Sequence, residues 1–564
     1  MKQLARYTSL IILVALTALA SQARIININA NSYRSDLTMQ LREACARATY
    51  SDTVVINFDK GTYTIDGTVT CKCHVIIKGS GQDKSTIIID NGKDRHGHKA
   101  FTDDTFFKIY GTLAHPITCT ISDITFKLKD HRGIWWEDQD KYAVKIYHAD
   151  RVDIHDVDSY MANAKITNFD LHVCSNVTVT GCVLTNYNNC QIGGNLWIRG
   201  EMHNIHVKNN KFFKYGKDEA LGIFDRVVDH SKGYVRGKAV RSDIFIENNE
   251  FFYGYDGKDK DPKAFNHTIC TLMTDHLKSG DRCTTRNFHL IGNTFHMIDE
   301  TARCLYICFD PADVHENIHI ENNQIINEAF TSSRKYNRQD IEVNDLSSCG
   351  DTIHITNNTI RNKKLVLTPS GSQGYSFLLM QGGIVDMTGN NIVNDVVKVP
   401  STSKNTGVQV VWAGALGGHV TMRDNVCKGV MCIAYVGAGE GTKLFSMDAH
   451  NNYFEGETRV YSHKINELRL NFTGNTFVSS SMNFFLQEFA PKGSVVFNNN
   501  DVTITQGRGQ FMTHWAKNST RDFRFECLEV QNNVFRGVKN EQEMFKNVTN
   551  VGKRKVRSNR IYRQ

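Results

Sequence analysis

Short apolar runs recur along most of the chain and are separated by glycine, asparagine and aspartate. Examples are CLYICFD (304–310), SFLLMQG (376–382), VQVVWAG (408–414) and FMTHW (511–515). Runs of this length, rich in β-branched and aromatic residues and bounded by turn residues, predict strands rather than helices. A helical period of 3.6 is absent from the sequence between residues 170 and 540. The pattern therefore predicts an all-β chain.

A second kind of run ends at an asparagine, often one of a pair, as in VKNNKFF (207–213) and IENNQII (320–326). The spacing of these markers varies from 23 residues (452 to 475) to 44 residues (249 to 293). A repeat with a short minimum and a variable excess is typical of a solenoid with loops between its coils. The markers are Asn210, Asn249, Asn293, Asn323, Asn358, Asn390, Asn425, Asn452, Asn475, Asn500 and Asn533.

The chemistry of asparagine favours a parallel β-helix. Each coil must bend, and asparagine is the non-glycine residue that best tolerates a left-handed backbone. Side-chain amides that align from coil to coil can also hydrogen-bond in a ladder. We therefore assign the marker asparagines to the scaffold and not to a binding site.

The charge of the chain gives no indication of a nucleic-acid partner. The formal net charge is +7, but the last segment, GKRKVRSNRIYRQ (552–564), contains six basic residues and no acidic one. The remainder is close to neutral, so no nucleic-acid binding is predicted. Asn559 follows Asn533 by 26 residues, which predicts a last coil in this segment.

The first residues have the features of a secretory signal. Lys2 and Arg6 precede an apolar stretch from Leu10 to Ala20, and small residues follow. We predict a cleavable signal peptide over residues 1–23 and a secreted or periplasmic protein. The stretch is too short for a membrane span, and no cysteine stands at the predicted cleavage point, so neither membrane insertion nor a lipid anchor is expected.

The cysteines of the chain do not predict a disulfide framework. The 15 cysteines are odd in number and irregular in spacing. Several lie inside predicted strands, among them Cys174, Cys270, Cys304 and Cys432. Buried free cysteine behaves as a small apolar residue, and we predict this role here.

The N-terminal segment carries a family resemblance. An amphipathic helix is predicted over residues 36–49, with Leu37 and Leu41 on one face. The following segment (51–89) resembles the opening of right-handed parallel β-helices of the pectate-lyase-like superfamily, in which a helix caps the first coil. The matching residues are Gly61, Thr62, Tyr63, Lys78, Gly79, Gly81, Thr86, Ile87 and Ile88.

The resemblance implies a single right-handed parallel β-helix over residues 24–564, with a capping helix at 36–49. Members of the superfamily are mostly secreted proteins that act on polysaccharides, but the fold does not fix the reaction. The paired-aspartate motifs of polygalacturonase-like hydrolases and the calcium ligands of the classical pectate lyases are absent from this sequence. The resemblance therefore identifies a superfamily and no particular family.

Loop lengths locate the predicted cleft. The longest marker spacings lie between residues 210 and 293, so loops at about 211–290 are expected to wall the cleft. Strands near these loops carry polar residues at alternate positions. If Leu171 points inward, Asp170 and His172 point outward, and Arg199 does so on the next coil.

From these positions we predict a polysaccharide lyase that cleaves a uronic-acid-containing polymer, glycosaminoglycan-like or pectin-like, by β-elimination. Arg199, with Asn195 beside it, would neutralise the uronate carboxylate. His172 or His276 would remove the C5 proton, and Tyr306 would protonate the leaving oxygen.

Other residues complete the predicted site. Asp225 is a further catalytic candidate. The residues expected to bind substrate are polar or aromatic and lie on the same strands and loops: Trp197, Glu201, Arg226, His230, Lys232 and Arg236. The partner would be an acidic polysaccharide and the protein a monomer. The sequence identifies no definite cofactor, and calcium is the one candidate, because YDGKDKD (255–261) spaces three aspartates like a loose calcium loop.

Two alternatives remain at this stage. A glycoside hydrolase would use paired carboxylates, for example Asp225 with Asp275 or with Asp310, and the separation of the pair would decide between retention and inversion. A non-catalytic glycan-binding solenoid would use the polar strand face only for contact.

Overall fold

Parallel pairing between strands of successive coils defines the fold. In the computed structural model, Phe288 pairs in parallel with Ile318, and Ile318 pairs with Ile353. All three side chains are fully buried, because inward residues of stacked coils form one continuous apolar core. The chain is a parallel β-helix, as the sequence predicts.

The structure describes residues 23–33, 36–90, 105–129, 141–162, 166–187, 193–215, 219–225, 227–229, 233–235, 239–253, 267–274, 282–297, 302–328, 330–332, 338–347, 349–367, 374–395, 397–398, 407–437, 442–462, 465–480, 483–487, 492–506, 509–514, 525–546, 548 and 551–563. Two compact units make up the chain, Met1–Lys211 and Phe212–Gln564. The prediction of a single domain over residues 24–564 stays a prediction.

The strands of the first unit vary in length from three residues (Val69–Cys71) to 22 residues (Lys141–Ala162). They are Ile25–Asn29, Thr53–Asn57, Gly61–Ile65, Val69–Cys71, His74–Lys78, Ser85–Ile89, Thr105–Tyr110, Ile117–Leu128, Lys141–Ala162, Ile166–Thr180, Val183–Tyr187, Leu196–Arg199 and Met202–Lys208. The longest of them pass from one face of the coil to the next. They bend at single left-handed residues, such as Asp123 (φ 57°), Asp156 (φ 54°) and Asn176 (φ 49°), where a short polar side chain tolerates that conformation.

The second unit has three strands in each coil, which stack into three parallel sheets. The first sheet contains Leu221–Phe224, His267–Met273, Ala302–Phe309, Arg338–Asp345, Tyr375–Gln381, Val408–Ala413, Asn483–Gln487 and Gln510–His514. The second contains Val240–Glu247, Thr284–Ile291, Val314–Glu321, Cys349–Gly350, Ile353–Thr356, Ile384–Thr388, Gly418–Arg423, Thr442–His450, Ile465–Thr473, Lys492–Asn498, Cys527–Gln531 and Lys553–Arg557. The third contains Glu250–Tyr253, Thr294–Met297, Gln324–Asn327, Thr359–Asn362, Asn391–Asn394, Thr476–Ser479, Asp501–Ile504, Val534–Arg536 and Arg560–Tyr562.

Two strands of this unit, Val426–Val436 and Tyr453–Ser462, pair in both the third and the first sheet. The remaining elements are short. They are the strand Lys211–Tyr215, the antiparallel hairpin Val227–Asp229 with Gly233–Val235, the small parallel sheet of Phe330–Ser332, Leu365–Leu367 and Val397–Lys398, and the helix Glu541–Met544.

The paired asparagines divide two tasks between them. In the pair Asn451–Asn452, the first residue has a left-handed backbone (φ 55°) and is exposed, whereas the second is buried. The Nδ2 group of Asn452 donates to Asn475 Oδ1 at 2.9 Å and to the Met422 carbonyl at 3.0 Å. The second position therefore builds the predicted ladder, and the first makes the corner.

This division explains the variants of the motif. Glycine, aspartate or serine replaces the first asparagine at Gly474, Asp424 and Ser558, each with positive φ. The second asparagine is invariant along the ladder, because its side chain must both donate and accept. The ladder continues to the last coil, where Asn533 Nδ2 donates to Asn559 Oδ1 at 2.9 Å. The predicted register of Asn559 is confirmed.

The N-terminal helix forms over Leu37–Arg47, two residues shorter at its C-terminal end than predicted and one at its start. Leu37, Leu41 and Cys45 are buried. Thr38 Oγ1 donates to Asp66 Oδ1 at 2.7 Å and Arg42 Nε donates to the Thr68 carbonyl at 2.6 Å. The helix thus packs on the first coils, while its role as a cap stays a prediction.

The glycines of the segment that carries the family resemblance lie in tightly packed coils. Gly61, Thr62 and Tyr63 begin the strand Gly61–Ile65. Gly79 has a clear steric role, because a Cβ atom there would overlap with the backbone carbonyl of Asp123 on the next coil. Only glycine lets the two backbones approach so closely.

The cysteine prediction is confirmed for the residues that the structure describes. All 14 of these cysteines are free, and Cys174, Cys270, Cys304 and Cys432 are buried. The signal segment 1–22 lies outside the described residues, as does the loose calcium motif at 255–261. Among the helices that the structure describes, none has the length and apolar character needed to cross a membrane.

Candidate functional site

Two polar clusters contain three of the predicted catalytic residues, which are His172, Arg199 and Tyr306. The first lies in the first unit, where Lys141–Ala162, Ile166–Thr180 and Leu196–Arg199 are paired in parallel. His172 Nε2 lies 2.7 Å from Asp170 Oδ2, and Arg199 Nε donates to Asp170 Oδ1 at 2.8 Å. Lys145 Nζ lies 3.8 Å from Asp170 Oδ2. One carboxylate therefore holds three basic side chains together.

Alternation along the strand places Asp170 and His172 opposite Leu171, as predicted. The expectation that they form an exposed surface is wrong, because both side chains have no exposed area. Lys145 is equally buried, and the Arg199 side chain is 11% exposed. The reason is electrostatic: the Asp170 carboxylate is paired with Lys145 and Arg199 and offsets part of their positive charge, which lowers the cost of burying these groups together.

Burial and charge set the protonation of this cluster. Burial opposes the ionisation of Asp170, but the hydrogen bond and charges from His172, Arg199 and Lys145 outweigh it and hold the pKa of this carboxyl below its usual range. Burial lowers the pKa of His172 to about 4, against the opposing attraction of Asp170. His172 is therefore neutral at neutral pH, and its Nε2–H group donates a hydrogen bond to the Asp170 carboxylate.

Aromatic rings surround this cluster. Tyr147 stacks on His172 with ring centroids 4.6 Å apart, and Tyr110 stacks on Tyr147 at 4.7 Å. The Arg199 guanidinium lies 4.4 Å from the centroid of the Trp197 ring. Trp197 is buried at 5% exposure. These contacts hold the rings in place and are typical of a packed interior rather than of a binding surface.

Two further predicted residues of this unit have different environments. Asn195 is fully buried, and its Oδ1 atom accepts a hydrogen bond of 2.9 Å from Asn168 Nδ2. Glu201 is exposed, and its Oε1 atom lies 3.5 Å from His203 Nε2. Asn195 thus belongs to the scaffold, and Glu201 lies at the surface.

Part of the predicted site lies outside the described residues. These positions are Arg226, His230, Lys232, Arg236, Asp275 and His276. Much of the predicted cleft wall, including 254–266 and 275–281, is also outside them. Asp225 is half-buried. The predicted roles of these residues stay predictions.

The second cluster lies on the first sheet of the second unit and contains Tyr306. Thr271 pairs in register with Tyr306, and Tyr306 pairs with Glu342. The alternate positions Leu305 and Ile341 are buried in the core. The polar residues therefore share the outer face of three successive coils, about 4.8 Å apart.

A hydrogen-bonded network joins the members of this second cluster. The Arg303 and Glu342 side chains form an ion pair with a separation of 2.5 Å and are 13% and 11% exposed. Asn344 Nδ2 donates to the Tyr306 hydroxyl at 3.1 Å and to Glu342 Oε1 at 3.2 Å. The Arg303 guanidinium lies 4.9 Å from the Tyr306 ring centroid. Tyr306 is half-buried, whereas Asp170, His172 and Lys145 of the first cluster have no exposed side-chain area.

The Tyr306 hydroxyl keeps its proton at neutral pH. Burial raises the pKa of Tyr306 well above its ordinary value, and the neighbouring Cys308 adds to this effect. A protonated phenol beside a guanidinium can donate to an oxygen atom on which negative charge develops. The cluster thus combines a proton donor, a cation and a carboxylate on one face.

A further carboxylate approaches the same face. Thr271 Oγ1 donates to Glu219 Oε1 at 3.4 Å, and Thr271 precedes Tyr306 by one coil. Glu219 is half-buried. Glu219 and Glu342 therefore lie on opposite sides of Tyr306 along the stack of coils.

Arg303, Glu342 and Asn344 were not predicted. Arg303 stands three residues before the predicted Tyr306, and DIEVND (340–345) repeats the alternation of LYICFD (305–310) one coil later. Aligning the apolar residue Leu305 with Ile341 would have placed Glu342 next to Tyr306. Within the described ranges, no group of three or more His, Cys, Asp or Glu residues is arranged to hold a metal ion.

Comparisons with known proteins identify no close relative. No protein-family model matches the chain, and no curated protein sequence matches it. Among solved structures, it is similar to the catalytic unit of a GH87 alpha-1,3-glucanase from Streptomyces thermodiastaticus, with 15% identity and a TM-score of 0.41, over 74% of this chain and 68% of the other.

Two other similar structures act on different polymers. One is a family 28 exopolygalacturonase of Yersinia enterocolitica, with 9% identity and a TM-score of 0.37, over 72% of this chain and 76% of the other. The other is a mannuronic-acid-specific family 6 lyase from human gut microbiota, with 11% identity and a TM-score of 0.30, over 81% and 87%. These similar structures include both hydrolases and a lyase. At these identities the likeness extends to the β-helix fold alone.

Proposed function

We propose that the second cluster is the active site of a polysaccharide lyase that acts on a uronic-acid-containing polymer. The observation that supports this is the Tyr306 hydroxyl, which keeps its proton and lies with Arg303 and Glu342 on a partly exposed strand face. β-Elimination needs a group that binds the carboxylate, a base and an acid. This cluster offers one residue of each kind.

The proposed roles follow from the chemistry of each side chain. Arg303 binds the uronate carboxylate, because a guanidinium has five N–H donors and can hold two carboxylates at once. Glu342 removes the C5 proton. The electron pair forms the C4–C5 double bond, the C4–O4 bond breaks, and O4 takes the proton of Tyr306. Asn344, which donates to Tyr306 and Glu342, positions the acid and the base.

The proposal gives His172 and Arg199 a structural role in place of the catalytic roles predicted from the sequence. In their cluster Arg199 pairs with Asp170, and His172, which has no exposed area, cannot meet a polymer without rearrangement. We propose that they stabilise the fold of that unit. Secretion, which fits action on an external polymer, belongs to the same proposal.

A hydrolase is the second candidate, and Glu219 is the observation that favours it. Glu219 and Glu342 lie on opposite sides of Tyr306. An inverting glycosidase uses two carboxylates about 6.5–9.5 Å apart, on opposite sides of the bond that is cleaved. In this case Glu219 and Glu342 would be the acid and the base.

One assay separates these reactions. The purified protein is incubated with polygalacturonate, alginate, hyaluronan and chondroitin. A lyase produces an unsaturated uronide that absorbs ultraviolet light, whereas a hydrolase produces reducing ends without this absorbance. Tyr306→Phe is expected to lower lyase turnover by about 10²- to 10⁴-fold, and Tyr453→Phe, on the third sheet, is the matched control. Equal turnover in wild type and Tyr306→Phe would refute the proposed role of Tyr306.

A further inference from the structure

The strand position of Tyr306 and Glu342 is occupied on later coils first by the buried Leu379 and then by three aromatic residues. The register runs from Glu342 to Leu379, then to Trp412, Tyr435 and Tyr461. Trp412, Tyr435 and Tyr461 are half-buried. We call these three residues the aromatic strip. Because they occupy the same register position as Glu342, they lie on the same outer face of the second unit.

The rings of the aromatic strip have two orientations. Tyr435 and Tyr461 stack on each other, with ring centroids 5.0 Å apart and an interplanar angle of 6°. The Trp412 ring is turned by 78° from Tyr435 at a centroid distance of 6.1 Å. Each of the two stacked tyrosines covers one ring face of the other, so they offer ring edges and hydroxyl groups for contact with a ligand. The Trp412 indole is not stacked on Tyr435 and is close to perpendicular to it, so Tyr435 does not cover a face of the indole ring.

The Trp412 indole also has an unused donor. Among the described residues, its Nε1–H group has no hydrogen-bond partner. Such a donor is costly when it is shielded from water, and most native structures satisfy it. Because the Nε1 atom is itself shielded, a ligand oxygen accepts from it only after the indole side chain shifts. The half-buried indole ring is suited to the apolar face of a sugar ring.

We infer that the aromatic strip is a binding site for the sugar units of a linear polysaccharide that lies along the stack of coils. This inference rests on the proposed function, because the strip continues the face of the proposed active site. Trp412 lies three coils beyond Tyr306, at about 14 Å, and Tyr461 lies five coils beyond it, at about 24 Å. The bound polymer therefore extends several sugar units from the bond that is cleaved, and short oligosaccharides do not reach the strip.

The test compares affinity with turnover. Trp412→Leu and Tyr461→Leu are prepared beside Tyr306→Phe, and Tyr562→Leu, an exposed tyrosine on the third sheet, is the matched control. Binding is measured for polygalacturonate, alginate, hyaluronan and chondroitin, and for disaccharides prepared from each. Thermal unfolding shows whether each variant keeps its fold, and Tyr461→Phe removes only the hydroxyl if a larger change does not fold.

We expect Trp412→Leu to weaken polymer binding about tenfold, and the affinity for disaccharides to change less than the affinity for the polymer. Tyr306→Phe is expected to keep polymer binding and lose turnover. If wild type cleaves none of the polymers but Trp412→Leu still weakens binding, the proposed reaction fails and the inference stands. If no polymer binds, or if the strip variants keep wild-type affinity, the inference is wrong.

Discussion

His172 Nε2 lies 2.7 Å from Asp170 Oδ2, and both side chains are fully buried in the first unit. Burial lowers the pKa of His172 to about 4, from an ordinary value of 6.5. Between these two values the unfolded chain binds a proton at this site and the folded chain does not. Stability of the first unit should therefore fall as the pH decreases from 6.5 to 4, by about 3 kcal/mol at most.

The pKa of Asp170 is also below its ordinary value, but its contribution is lost only at lower pH, as the pH falls from the ordinary carboxyl pKa toward that of the folded state. The interval above pH 4 thus isolates the histidine. Denaturant unfolding at a series of pH values measures the slope. His172→Gln should flatten it, and His155→Gln, half-exposed on the same unit, should not. Parallel slopes in wild type and His172→Gln would contradict this prediction.

Substitutions within one asparagine pair should have unequal effects. Asn451→Gly keeps the left-handed corner and should change stability by a few tenths of a kcal/mol. Asn452→Gly removes the acceptor of Asn425 N and Nδ2, which donate to it at 2.9 and 2.8 Å. Each buried donor left without a partner costs about 1–3 kcal/mol. The midpoint of chemical denaturation measures both variants, and similar midpoints would show that the two positions are not specialised.

Gly79→Ala should destabilise the first coils strongly. A Cβ atom at this position would overlap with the Asp123 backbone carbonyl, and parallel coils cannot separate at one point without breaking hydrogen bonds. Gly67→Ala is the matched control, since its new Cβ would meet only the end of the flexible Arg42 side chain. We expect a loss of about 1–3 kcal/mol for Gly79→Ala and a smaller loss for Gly67→Ala, measured by thermal unfolding. Equal losses would show that the contact relaxes.

Replacement of Arg303 by lysine tests carboxylate binding at the proposed active site. Lysine keeps the charge but loses the planar fork that holds two carboxylates. Turnover of acidic polymers should fall about tenfold or more, mainly through a higher KM. Arg286→Lys is the control, because Arg286 forms an exposed ion pair with Glu316 at 3.1 Å on the second sheet. An unchanged KM in Arg303→Lys would remove this residue from the proposed site.

The sequence alone determined the scaffold. Asn559 was placed in the ladder by spacing, and the run at 304–310 was placed in a strand by alternation; the structure confirms both. These features are local or periodic. A corner needs a residue that tolerates positive φ, a ladder needs an amide that donates and accepts, and each coil repeats the same requirement. Such requirements leave a pattern in the sequence that can be read without coordinates.

Only the tertiary structure decided which polar residues are accessible and which are buried. Alternation placed His172 and Tyr306 alike on outward positions, yet His172 has no exposed area and Tyr306 is half-buried in an accessible cluster. Exposure depends on what covers a strand face, which alternation does not encode. The pairing of Arg303 with Glu342 likewise joins residues 39 positions apart. Loops of variable length separate the coils, so this contact follows from their register in space.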